Sequence, residues 1–466
     1  MIVLARFPKS VSKAWIRVPA LLITCAVLLG VESPLVAAPA SGAVASRRDA
    51  VVADRGIELL RGLRDPKAPP PEESGAALAD LGSGVIGVLI DALETRQIPD
   101  VQGAGAEPQI LSRPQRETIL VALEHLGRAA VMPAFEQRLT EPEDYGQRRA
   151  AVEVLGAVAE GRELGRLLTC TVDPTTASYD AKLSESLEDS VCRTLRRDSY
   201  GFQVLERLLG DIDQQQLEAV ILGVGRTRDP AGLDVLVAIP WANERHRVQI
   251  AAQIPLLAPS NDPGLNRDMA DRMLKELSAP NENLVNAAIL ALSHLEDFSC
   301  VPQLIELLDE ESPRLRASAH HALCKLTAKS TVASIGVWRH WYRAEDQWAR
   351  ADGVRAVDAL LSGPEKEALA ALVDIGAHRL ERHQLALETS VALFHDSARV
   401  RLKACETLTG LGSRWAVDGL REALRDPSDD VRTAALVALQ AITGEQRGED
   451  YAAWEDYSAP DPRSAF

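Results

Sequence analysis

The chain has 466 residues, of which 46% are hydrophobic and only 4% aromatic, and its 67 acidic residues outnumber 51 basic ones for a net charge of −16. A field of that sign repels phosphate backbones and anionic lipid, so nucleic acid is excluded as the expected partner. A core so poor in rings must be made mainly of Ala, Leu and Val, as in tightly packed helices.

In chain order, residues 1–38 read as an export signal. Arg6, Lys9, Lys13 and Arg17 form a basic stretch, Ala20 to Val31 an apolar one, and Val36-Ala37-Ala38 or Ala38-Pro39-Ala40 a small-residue cleavage site. The apolar run is about a dozen residues, against the roughly 20 of a membrane span, so cleavage is expected over a retained anchor and the mature chain is expected to hold no integral span. Cys25 follows Thr24 inside that run, which argues against a lipidated cysteine. Loss of residues 1–38 removes four basic residues and one acid and takes the net charge to about −19. The expected location is the periplasm or the cell surface.

Residues 39–75, with Ala68-Pro69-Pro70-Pro71, read as a linker that includes a partial or capping helix. Residues 76–328 and 377–443 carry helical periodicity broken by turn residues, and residues 329–376 read as an irregular, aromatic-rich helical segment between them. Two further interruptions are the Gly- and Pro-rich loop from Ile98 to Pro114 and the polar stretch between Cys170 and Cys192. A disulfide joining Cys170 to Cys192 would clamp that stretch, by about 3 kcal/mol in the chain-entropy account, and the sequence leaves the bridge open. Cys300 and Cys324 are expected to be buried thiols, and Cys405 a core residue. Residues 444–466 read as an aromatic trailer and tail.

The chain also repeats itself. Residues 301–342 align without a gap on 417–458, with identities at Val301/Val417, Leu304/Leu420, Leu308/Leu424, Arg316/Arg432, Ala319/Ala435, Ala322/Ala438, Leu323/Leu439 and Trp338/Trp454 among others. The clearest unit runs Asp426-Pro427-Ser428-Asp429-Asp430-Val431-Arg432 and on to Ile442-Thr443-Gly444. Asp-Pro stops one helix, Ser428 or Asp429 caps the next, and Gly444 permits a left-handed end. Weaker copies stand at Arg399-Val400-Arg401, Arg314-Leu315-Arg316, Leu284-Val285-Asn286, Arg245-His246-Arg247, Arg148-Arg149-Ala150 and Arg116-Glu117-Thr118, and Val400 and Val431 set a spacing of about 31 residues. The unit resembles a short bacterial HEAT repeat of the type found in the phycobiliprotein-lyase HEAT-like group. That resemblance implies an all-α solenoid of stacked antiparallel helix pairs, about nine of them between residues 76 and 443.

Trp338, Trp341 and Trp348, with Tyr342 beside them, share one helical stripe that would either hold a sugar ring or partner, or pack as a cap. The copy of Trp338 at Trp454 favours packing. The recurrent Arg247, Arg316, Arg401 and Arg432 read as a ladder that bonds the turns between helices rather than an anion site. No histidine is followed by Glu, which excludes the di-iron chemistry of HEAT-like deoxyhypusine hydroxylases, and His320, His321, His378 and His383 lack zinc-ligand clustering. Neither metal nor cofactor is expected. The expected function is a non-catalytic protein-interaction scaffold of the cell envelope, bound through the concave face or the insertions. The alternatives are a lyase-like enzyme, as the resemblance implies, and a carbohydrate or envelope-polymer binder acting through exposed Trp.

Overall fold

Helix follows helix because the sequence alternates amphipathic stretches with short polar turns that stop and restart them. Asp144, Asp213, Asn243, Asp262, Asn281 and Ser312 each stand at an N-cap and accept a bond from a backbone N–H of the first turn, which satisfies donors the helix cannot. The structure is a computed structural model and describes residues 42–457 except 66, 99–108, 258–259 and 261. The export signal expected in residues 1–38 lies outside these residues, as does the tail from residue 458.

The chain forms two compact units, Met1–Arg48 and Asp49–Phe466. Of the first, the described part is the start of α1 (Gly42–Gly62). The second holds α2 (Pro71–Ala79), α3 (Ile86–Thr95), α4 (Arg113–Leu126), α5 (Arg128–Arg138), α6 (Tyr145–Val158), α7 (Leu164–Thr169), α8 (Ser184–Arg197), α9 (Tyr200–Leu208), α10 (Gln214–Thr227), α11 (Gly232–Ala238) and α12 (Glu244–Gln253). It continues with α13 (Pro263–Glu276), α14 (Glu282–Leu295), α15 (Val301–Glu306), α16 (Pro313–Thr327), α17 (Ile335–Arg350), α18 (Asp352–Ser362), α19 (Glu365–Ile375), α20 (Arg382–Thr389), α21 (Ala398–Leu411), α22 (Val417–Ala423) and α23 (Asp429–Thr443).

The even-numbered helices from α2 to α16 pack each on the next in one stacked row, and α19, α21 and α23 form a second, shorter row; α7, α9, α11 and α13 line up beside the first. Such stacking is how units too small to own a core bury their apolar faces. The fold is therefore the all-α solenoid that the sequence implied. The buried side chains separate into two clusters. One runs from Ile57 to Trp338, the other from Trp348 to Tyr457, and both Trp338 and Trp348 belong to α17.

The internal repeat is structural. Helices α16 and α23 begin and end 116 residues apart, and Ala319, Ala322 and Leu323 are as fully buried as Ala435, Ala438 and Leu439. Each second helix ends in a left-handed residue, Ala328 at φ 53° and Gly444 at φ 76°. One detail differs from expectation: Ser428 occupies the N-cap of α23 without a side-chain bond, and Asp426 instead accepts the Ser428 N–H at 2.8 Å.

Four segments add to or depart from the sequence reading. Within residues 39–75 the helix α1 (Gly42–Gly62) is tied to the array rather than tethering it: it buries Ile57 and Leu60, and the Leu60 carbonyl accepts from Gln115 Nε2 at 2.7 Å. The polar stretch after Cys170 is a hairpin of β3 (Val172–Asp173) on β4 (Ser178–Tyr179), but it ends before Cys192, which sits inside α8. The earlier loop has a matching stem, β1 (Gln97–Ile98) on β2 (Gln109–Ile110). Residues 329–376 are regular: α18 packs on α19, and α19 opens the shorter row. That unit escaped the sequence because Glu365-Lys366-Glu367-Ala368 lacks the Val-Arg signature that marks the others.

Candidate functional site

The stripe of Trp338, Trp341, Tyr342 and Trp348 is packed rather than presented. Trp338 has no exposure and Trp348 9%. The Trp348 ring stacks on His378 with centroids 3.6 Å apart, and its Nε1 donates to Asp374 at 3.0 Å. Trp341 and Tyr342 are half-buried against the first core, and Trp341 Nε1 donates to the buried Glu345 at 3.1 Å. A sugar-binding platform needs open ring faces, so the stripe as a ligand site is corrected to a seam: α17 plants one indole in each core. Trp454 repeats the pattern, fully buried with its N–H on Gly448 O at 3.0 Å.

Cys170 and Cys192 are not bridged; both are buried thiols, as are Cys300 and Cys405. Burial pushes the Cys170 thiol up to about 11 and that of Cys405 to about 12, and it raises Cys192 and Cys300 as well. Thiols kept protonated in this way are poor nucleophiles.

The recurrent arginines form the ladder read from sequence. Arg316 donates to the carbonyls of Glu310 and Glu311, Arg401 to those of His395 and Asp396, and Arg432 to that of Asp426. Arg401 also grips Asp426 of the next unit with two bonds at 2.6 and 2.9 Å, and that bidentate pair holds the Asp426 carboxyl below its usual range. Arg247 pairs with the buried Glu276 at 2.8 Å. These cations are spent on the fold.

What the sequence missed is a cleft of about 450 Å³ between the two rows. One wall comes from α13, α14 and α16, with Asn266, His294, Glu296 and Lys325; the other from the start of α20 and the turn after α21, with His383 and Trp415. Across it runs a clasp. Glu296 pairs with Arg382 and, at 3.2 Å, with His383 Nε2, while His383 Nδ1 meets Ser413 Oγ at 2.9 Å. Phe298 lies edge-on to the His383 ring at 5.6 Å. Burial works against ionising Glu296, yet His383 and Arg382 outweigh it and hold the carboxyl at about 2. Glu296 adopts φ 56° just after α14, where a side chain costs about 1–2 kcal/mol of backbone strain. A sequence signal did exist: the corresponding positions after α21 and α23 are Gly412 and Gly444, both left-handed.

Among the described residues no group of three or more His, Cys, Asp and Glu converges to hold a metal ion, and no single helix is long and apolar enough to cross a membrane.

No curated protein matches the chain. Among solved structures, similarity extends to the complex of CpcE and CpcF of phycocyanin lyase from Nostoc sp. PCC7120, at 13% identity over 57% of this chain and 95% of that one, with a TM-score of 0.26. It extends also to Kap121p bound to Nup53p, at 11% identity over 85% of this chain and 49% of that one, TM-score 0.36. Kap95p in its complex with RanGDP gives 12% identity over 86% and 57%, TM-score 0.34. The family model described as HEAT repeats matches residues 387–452, the stretch that holds the end of α20 and all of α21, α22 and α23.

Proposed function

We propose that the protein is an exported, non-catalytic scaffold that binds a partner protein along its stacked rows. The observation that carries this reading is a shared helical position. Leu290 in the first row and Val373 and Val437 in the second each stand nine residues after the N-cap of α14, α19 and α23, and they are 38%, 61% and 54% exposed; α16 and α21 carry the exposed polar His321 and Glu406 there instead. Scattered surface apolar residues are ordinary, but apolar side chains at one helical position of several helices offer footholds for a partner's apolar anchors. Export is supported by the basic and apolar start of the chain, and the burial of Cys170, Cys192, Cys300 and Cys405 is compatible with an oxidising compartment without disulfides.

The test is cross-linking mass spectrometry on tagged protein purified from its native envelope. A stoichiometric protein partner linked near Val373 and Val437, and lost in the Val373→Asp/Val437→Asp variant with helix content intact, is the expected result. Recovery of the protein without a partner would overturn the reading.

A further inference from the structure

The cleft between the rows combines an apolar floor with an unusual charge balance. Leu257, Ile442 and the Trp415 ring supply apolar surface. Of the two acids at its edge, Glu296 is paired by Arg382 and His383, and Asp297 accepts the Ser299 N–H at 2.7 Å. Two of its cations have no acid partner: Lys325 forms no ion pair among the described residues, and Arg414 donates to the neutral Tyr457 hydroxyl at 2.7 and 3.1 Å. His294, on the same wall, is pushed towards its neutral form by burial and by the nearby Lys325. In a chain of net charge −16, this is a local inversion of sign, in which donors with spare capacity face a recess that excludes part of the solvent. Such recesses focus anions.

We propose that this cleft binds a small amphipathic anion, a carboxylate, sulfonate or phosphate carried on an apolar or aromatic body. The acid group lies against Lys325 and Arg414, and the body against Trp415 and the aliphatic floor. A volume of about 450 Å³ suits a ligand of this kind, since small-molecule sites span about 300–1,000 Å³. The site draws on both rows, so its occupant would bridge them, and it is independent of what the exposed Leu290, Val373 and Val437 bind.

The experiment uses two fluorescent probes of the same shape on the full chain: 8-anilinonaphthalene-1-sulfonate, which is anionic, and N-phenyl-1-naphthylamine, its neutral counterpart. Titration followed by fluorescence and calorimetry is expected to show one site, with the anion bound about tenfold tighter or more, as a charge-assisted contact implies. Lys325→Gln, a substitution at an exposed position, is expected to weaken the anion about tenfold and leave the neutral probe unchanged. Lys366→Gln on α19, away from the cleft, is expected to change neither. Equal affinity for the two probes, indifference to Lys325→Gln, or no saturable binding of the anion would each overturn the proposal.

Discussion

Single residues settle the ends of the repeats and the clasp between the rows. Ala328 and Gly444 occupy the same repeat position and the same left-handed backbone region, but only glycine is free of a Cβ penalty there. A Cβ built on Gly444 meets no atom within 4 Å, so the cost of Gly444→Ala is backbone strain alone, and a loss of about 1 kcal/mol is expected. Ala328→Gly should go the other way, gaining up to about 1 kcal/mol. Urea unfolding of the two variants checks both signs, and a loss in each would show that the left-handed ends are not what separates them. Glu296 brings pH into the clasp. Its carboxyl titrates at about 2 in the fold and at about 4.3 in the unfolded chain, so its stabilising effect is complete above about pH 4.3 and is lost as pH falls through about 2. Glu296→Gln should therefore flatten the acid limb of a stability profile between about pH 4 and 2. An acid limb identical to that of the unaltered protein would mean that the clasp does not form in solution.

Within an element, what counts is how far a loss spreads. Leu439 is fully buried in α23, and Leu439→Ala should cost about 2–5 kcal/mol through lost burial and the cavity left behind. Repeats couple mainly to their neighbours, so hydrogen exchange is expected to speed up in α21 to α23 and to stay unchanged in α4 to α10. Uniform acceleration along the chain would contradict nearest-neighbour coupling. Sequence was a good guide at this scale wherever helix chemistry is local. The turn at Asp426-Pro427, the face of Val431, Ala435, Ala438 and Leu439, and the arginine ladder were all legible, because each depends on residues within one or two turns of helix. The unit α18–α19 was not, since its stacking rests on Ala368, Ala371 and Leu372, residues that any amphipathic helix carries.

For the molecule as a whole, the division into two cores makes α17 the element through which they communicate. Trp348→Ala should empty part of the second core at a cost of about 3–5 kcal/mol. It should also loosen the link to the first core, so that calorimetry resolves a C-terminal transition below the main one. A single, unshifted transition would show that the cores are joined by other means. The chain's own sequence determined the helices, their period and the small side chains that let them stack, because 3.6-residue periodicity and capping are local rules. Tertiary structure alone decided that Trp338 and Trp348 of one helix enter two different cores, that Cys170 and Cys192 remain apart as thiols, and that Glu296 meets Arg382 and His383 across a cleft. Those outcomes depend on how stacked rows close on one another, and contacts between positions more than 80 residues apart leave no periodic trace in a sequence.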